Sequence, residues 1–156
     1  MLGKTYYALP PSELLKPRRL DIVVKWRLFR NITDPETIKT YLWHIARRRS
    51  SGFVDSDKNS LDVFLPQARA LLASMANDGY DWSYPIPIDR NEDILGGAHR
   101  LACALALEIG DVAVEDQDRL AWAPAWDAAW FRQHGMSEQD VEGLIYDYER
   151  LKSKEA

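Results

Sequence analysis

Five consecutive residues, Gly96-Gly97-Ala98-His99-Arg100, carry the clearest chemistry in the chain. A glycine pair lets backbone approach a ligand closely, and a helix that starts directly after it offers unpaired N–H groups. The positive end of the helix dipole favours an anion there, and His99 and Arg100 in the first turn add side-chain donors, arginine with a planar fork. The chemistry expected of this segment is phosphate binding. An ordinary tight turn would use the same glycines.

Other residues are candidates for supporting parts. Asp21 stands one helical turn before Lys25, the favourable orientation for an ion pair. Lys25 could neutralise phosphate charge, as could Lys58 in a polar stretch. Asp55, Asp57, Asp89 and Asp93 could each serve magnesium, but no spacing singles one out, so the metal ligands stay unassigned. His44 lies beside an apolar stripe and reads as a partly buried histidine rather than a ligand, and His134 sits near a helix end. Cys103 is the single cysteine, which excludes an internal disulfide and a thiolate zinc site and points to a reducing, cytoplasmic setting.

The elements that must position these residues follow from periodicity and punctuation. Thr5 to Leu9 reads as an edge strand ended by Pro10-Pro11. Residues 18 to 30 alternate like a strand at Ile22, Val24, Trp26 and Leu28 yet also fit a helix; we adopt the helix. Thr33 or Asp34 caps a helix with Pro35 first, and Ile38, Tyr41, Leu42 and Ile45 follow one face up to Arg47-Arg48-Arg49. Ser50 to Ser60 reads as a loop, and Ser60 as the cap of a helix whose stripe runs from Leu61 through Phe64, Ala68, Leu71 and Met75 to the stop at Asn77-Asp78-Gly79. That stripe is expected to be core, not a site.

Short strands are expected at Tyr84 to Asp89, at Ile94-Leu95 and at Val112 to Val114, with the prolines confining the first to an edge or a strand start. The helix from Ala98 to Ile109 closes at Gly110. Ala125 to Arg132 and Glu138 to Lys152 read as tail helices, the second opened by Ser137 and Asp140. On a continuous helix Trp122, Trp126 and Trp130 would share a face, packed on the domain or presented to a protein partner or a second subunit.

The 156 residues, 46% hydrophobic and 28% charged, suit one globular domain. No apolar run reaches bilayer length, and the opening residues lack the apolar stretch of a secretory signal, which argues against membrane insertion. The net charge of −4 argues against a protein that coats nucleic acid. The charge is uneven: residues 1 to 60 carry 12 Lys+Arg against 6 Asp+Glu, a balance of +6, and residues 61 to 156 carry 8 against 18, a balance of −10. The basic part could line a site for a polyanion.

The order Pro87-Ile88-Asp89, turn, Ile94-Leu95-Gly96-Gly97-Ala98-His99-Arg100-Leu101-Ala102, helix, Gly110, Val112-Ala113-Val114 resembles the ParB/sulfiredoxin-like domain, whose members include partition proteins, sulfiredoxins and archaeal free-serine kinases. The match is close over about residues 84 to 115 and looser from about residue 4, where Thr5 to Leu9 and Pro11-Ser12-Glu13-Leu14 are similar to that domain's entry. The stretch between the first strand and the long helix, and the tail with Trp130-Phe131 and Tyr148, also look like ParB-like proteins that accompany surface-polysaccharide glycosyltransferases. The resemblance implies an α+β fold with a small mixed sheet, surrounding helices, a helical insertion and a helical tail at about 120 to 154.

It further implies that Gly96, Gly97, Ala98, His99 and Arg100 bind the phosphates of ATP or another nucleotide, with Mg2+, and that Asp21 stands where kinases of this superfamily place a catalytic acid. The implied function is a nucleotide-dependent phosphotransferase, a small-molecule kinase acting on a hydroxyl of a polar metabolite or sugar precursor; the alternative is a non-catalytic ParB-like module that senses a nucleotide or touches nucleic acid. Departures bear on the choice. Sulfiredoxins have their nucleophilic cysteine where Ala98 stands, which disfavours sulfinic acid repair. Free-serine kinases have an aspartate where Gly96 stands. Partition proteins are more basic at Ala98-His99-Arg100 and continue into a helix-turn-helix, whereas the acidic tail here would repel DNA.

Overall fold

In the computed structural model, which describes residues 3–50 and 61–154, Pro87 marks the limit of a three-stranded sheet. The strands are β1 (Thr5–Leu9), β2 (Ile86–Ile88) and β3 (Val112–Asp116), arranged in the order β1-β3-β2. Strand β3 runs antiparallel to β1 and parallel to β2, so Val114 stands opposite both Tyr7 and Ile86. The composition of each strand explains its place. Val112 and Val114 are fully buried at the centre, Tyr6 and Tyr7 of β1 stand exposed, and Pro87, which has no N–H to give to a ladder, occupies the edge strand β2.

Six α-helices complete the described part of an α+β fold: α1 (Asp21–Arg30), α2 (Pro35–Ser50), α3 (Phe64–Asp78), α4 (Ala98–Ala106), α5 (Ala128–Gln133) and α6 (Glu138–Ser153). Helix α1 packs on α4, and Ile22, Val23, Val24, Leu28 and Phe29 are all buried. A helix buried on nearly every side has no polar stripe, which is why its sequence also fits a strand. Asp34 caps α2 by accepting the Thr37 N–H at 3.0 Å, and Ser137 caps α6 by accepting the Asp140 N–H at 3.1 Å. Gly79 stops α3 at φ 79° and donates its N–H to the Met75 carbonyl at 2.9 Å. The expected cap Ser60 lies outside the described residues. Val141, Leu144 and Leu151 of α6 enter the same core as Leu14, Ile22, Ile86 and Leu101.

Two local expectations are corrected. Ile94-Leu95 does not form a strand; it makes a single bridge, Ile94 with Ile88, because Gly96 and Gly97 turn the chain into α4 two residues later. Trp122, Trp126 and Trp130 do not share a helical face. Pro124 lacks an amide donor, and the Trp126 carbonyl accepts the Leu20 N–H at 2.9 Å in a bridge between Arg19 and Trp126, so α5 begins only at Ala128. Trp122 is 77% exposed, Trp126 is 5% exposed in the core, and Trp130 stacks on His134. No helix among the described residues is long and apolar enough to cross a membrane.

Candidate functional site

The link from β2 to α4 ends in Gly97, whose φ of 74° and ψ of 21° lie in the left-handed region. A Cβ there would stand 3.3 Å from Ile86 Cγ1 and 3.3 Å from Arg100 Nη2, so both conformation and space demand glycine. Gly96 differs: a Cβ would meet only Pro87 Cγ, at an ordinary 3.5 Å. One glycine of the expected pair is therefore required by geometry. Gly97 opens α4 without a side-chain cap, and its carbonyl takes the first helical bond, from the Leu101 N–H at 2.9 Å. The N–H groups of the first turn thus have no intrahelical acceptor.

A cleft of about 390 Å³ lies against this turn. Gly97, Ala98, His99 and Arg100 form one wall, and Gln67, Ala68 and Leu71 of α3 form the other. The edge of the α3 stripe therefore lines this cleft as well as the core. No carboxylate stands among these lining residues, and the wall from α4 presents a helix N-terminus, an imidazole and a guanidinium. Such a surface favours an anion.

Both side chains of the turn are held from behind. The hydroxyl of the fully buried Tyr41 lies 2.6 Å from His99 Nε2, and the two rings meet edge to face at 5.7 Å. Phe64 flanks the imidazole at 6.3 Å. Arg100 Nη1 donates to the Tyr84 carbonyl, which also accepts the Tyr80 hydroxyl at 2.6 Å. The Arg100 guanidinium carbon lies 5.8 Å from the centre of the Tyr84 ring. Tyr41 and Phe64 carry only the sequence signal of core positions, and nothing in Gln67, Tyr80 or Tyr84 marks them in sequence.

Asp21 and Lys25 form the expected pair, but inside the core rather than at the surface, and neither lines the cleft. Asp21 accepts from Arg19 Nε at 2.8 Å, from Arg19 Nη2 at 3.0 Å and from Lys25 Nζ at 2.7 Å. Burial alone would raise the Asp21 pKa, but the charges of Arg19 and Lys25 and the Arg19 hydrogen bonds outweigh it and hold the carboxyl well below its ordinary value. Burial draws the Lys25 ammonium down to about 8 against the opposing pull of Asp21. Trp126 roofs the cluster, 4.9 Å from Arg19 and 5.3 Å from Arg48.

His44 completes it, stacked on Phe131 at 5.5 Å and edge-on to Trp126 at 5.0 Å, with neither ring nitrogen hydrogen-bonded. Burial and then the charge of Lys25 push its pKa well below 6.5, so the ring is neutral. His44 is therefore fully rather than partly buried.

The remaining candidates are dispersed. Lys58, Asp55 and Asp57 lie outside the described residues. Asp89 builds a turn, accepting the N–H groups of Asn91 at 2.9 Å and Asp93 at 3.0 Å, and Asp93 pairs with Lys16 at 3.2 Å and Arg18 at 3.4 Å. Among the described residues no group of three or more His, Cys, Asp or Glu is placed to hold a metal ion. His134 lies 2.8 Å from the Trp130 carbonyl at the end of α5. Burial pushes the Cys103 thiol up to about 12, which keeps it protonated and inert.

Comparison of the chain with protein-family models, with curated proteins and with solved structures finds no match. The ParB/sulfiredoxin-like resemblance rests on the residues quoted for it alone.

Proposed function

We propose that the cleft at the start of α4 binds the phosphate groups of a nucleotide, and that the protein is a nucleotide-binding regulatory module. The observation that carries this reading is the cleft wall itself: the first turn of α4, His99 and Arg100 face one space, and none of its described lining residues is a carboxylate. Backbone amides and a forked guanidinium suit phosphate oxygens. The support from Tyr41 and Tyr84 fixes the two side chains before ligand arrives, which lowers the cost of ordering them.

A second reading, a small-molecule kinase acting on a hydroxyl of a polar metabolite or sugar precursor with ATP and Mg2+, would use the same phosphate site. Phosphoryl transfer is mostly positioning and charge stabilisation, and it needs a group that orients the acceptor. Asp21, the candidate for that role, has both carboxylate oxygens engaged by Arg19 and Lys25 in the core, and this favours the binding module as the first reading.

Calorimetric titration of ATP, ADP, CTP and GTP with magnesium into wild type, Arg100→Ala and Tyr41→Phe tests the site. One nucleotide binds wild type, binds Arg100→Ala at least tenfold more weakly, and binds Tyr41→Phe a few-fold more weakly as His99 loses its support. A folded wild type that binds none of them overturns the reading. Transfer of the terminal phosphate to a hydroxylated acceptor, followed by phosphorus NMR, would give the kinase reading precedence.

A further inference from the structure

We propose that the exposed rings of Trp82 and Tyr84 are the stacking face for the base of the bound nucleotide. This rests on the phosphate-site reading and adds where the rest of the ligand lies. Trp82 is 56% exposed and Tyr84 is 61% exposed, both in the segment that joins α3 to β2. Large aromatic rings left in water cost hydrophobic stabilisation that burial would have supplied. Two of them stand within three residues, and the second lies against Arg100, which lines the proposed phosphate cleft.

The segment that carries them is held in place. Asp81 accepts both the N–H of Ser83, at 3.0 Å, and its hydroxyl, at 2.6 Å. Tyr80 is buried, meets Trp82 edge to face at 5.7 Å and donates its hydroxyl to the Tyr84 carbonyl. The exposed rings are thus presented by an ordered turn, which suits a preformed platform.

Arg100 joins this turn to the cleft. The same guanidinium lines the anion cleft, donates to the Tyr84 carbonyl and lies against the Tyr84 ring. A phosphate held by Arg100 in the cleft would bring the attached nucleoside towards the Tyr84 ring, whose centre lies 5.8 Å from the guanidinium carbon. A flat π-face beside a guanidinium accepts any base, because stacking does not read the base edges. The platform therefore sets affinity for nucleotide over bare polyphosphate, and leaves the choice among bases to other contacts.

The test compares ATP, GTP and CTP with inorganic tripolyphosphate, by calorimetry, on wild type, Trp82→Ala, Tyr84→Ala and Trp82→Phe. In wild type the best nucleoside triphosphate binds about tenfold tighter than tripolyphosphate, the order of one base stacked on an aromatic ring. Trp82→Ala reduces that preference to less than threefold and leaves tripolyphosphate affinity unchanged, whereas Tyr84→Ala, which also removes the ring beside Arg100, reduces the preference to less than threefold and weakens tripolyphosphate a few-fold as well. Trp82→Phe retains the preference because it keeps a ring. Equal binding of nucleotide and tripolyphosphate by wild type overturns the platform and leaves the phosphate site standing. A preference that survives both alanine variants also overturns it, and binding of neither ligand overturns both readings.

Discussion

Lys25 Nζ lies 2.7 Å from Asp21 Oδ2, and neither side chain has any exposed surface. The pair is unequal, because the other carboxylate oxygen of Asp21 also serves Arg19 Nε at 2.8 Å. One acid thus answers two cations inside the core. Removing the acid strands both cations, whereas removing Lys25 leaves Asp21 with its bidentate arginine. Breaking a buried ionic group by deleting its shared partner costs about 3–5 kcal/mol. Asp21→Asn should therefore lose stability on that order, and Lys25→Met should cost about 1 kcal/mol or less, since it also removes a desolvated ammonium. Urea unfolding of the two variants decides it. Equal losses would mean that Asp21 is not the shared centre of the cluster.

His44 gives the fold an acid-sensitive point. Lys25 and Asp21 from α1, Arg48 from its own helix and Arg19 all act on the ring, with burial the largest influence, and the native imidazole stays neutral well below pH 6.5. The unfolded chain takes up a proton near pH 6.5, so below that pH the unfolded state binds more protons and stability falls with pH. The limiting slope for one proton is about 1.4 kcal/mol per pH unit. Asp21 does not contribute in this window: its depressed pKa adds stability that is complete above about pH 4 and is lost only below it. His44→Phe keeps an aromatic ring against Phe131 and Trp126 while deleting two buried nitrogens that lack partners. The variant should be more stable than wild type by about 1 kcal/mol at pH 7.5 and should lose the slope between pH 4.5 and 6. Urea midpoints at pH 7.5, 6.0 and 5.0 measure both effects, and an unchanged slope would place the titrating group elsewhere.

Much of the fold was legible in sequence because its signals are local. Pro35 with Asp34 set the start of α2, Gly79 the end of α3, Ser137 the start of α6, and Pro87 the edge position of β2. The turn that opens α4 was legible for the same reason, since its glycine, histidine and arginine are contiguous. What was not legible depends on distant contacts. Tyr41 reaches His99 from 58 residues away, and Trp126 is drawn out of a helix by Leu20 and Arg19. The burial of Asp21 and Lys25 was hidden because an acid and a base one turn apart read equally well as a solvated surface pair. Trp126, which roofs that pair, is supplied by a segment about one hundred residues further on.

The two glycines before α4 make different demands, and this separates the fold of the turn from its use. Gly97 sits at φ 74°, where an L side chain costs about 1–2 kcal/mol, and an added Cβ would press on Ile86 of β2 and on Arg100. Ile86 is fully buried in the sheet and has little room to yield, so Arg100 must move. Gly97→Ala should lower stability by about 1–2 kcal/mol and weaken nucleotide binding a few-fold, because the guanidinium must shift by a few tenths of an ångström from its place between the cleft and the Tyr84 carbonyl. Gly96 has neither constraint, and its Cβ would meet only Pro87 at van der Waals distance. Gly96→Ala should change the unfolding midpoint by less than about 0.5 kcal/mol and leave binding intact. Unfolding and titration of the two variants side by side supply the check. A Gly96→Ala protein that folds normally but loses nucleotide would show that the ligand approaches the backbone at Gly96 itself, and the phosphate site would then extend one residue back toward β2.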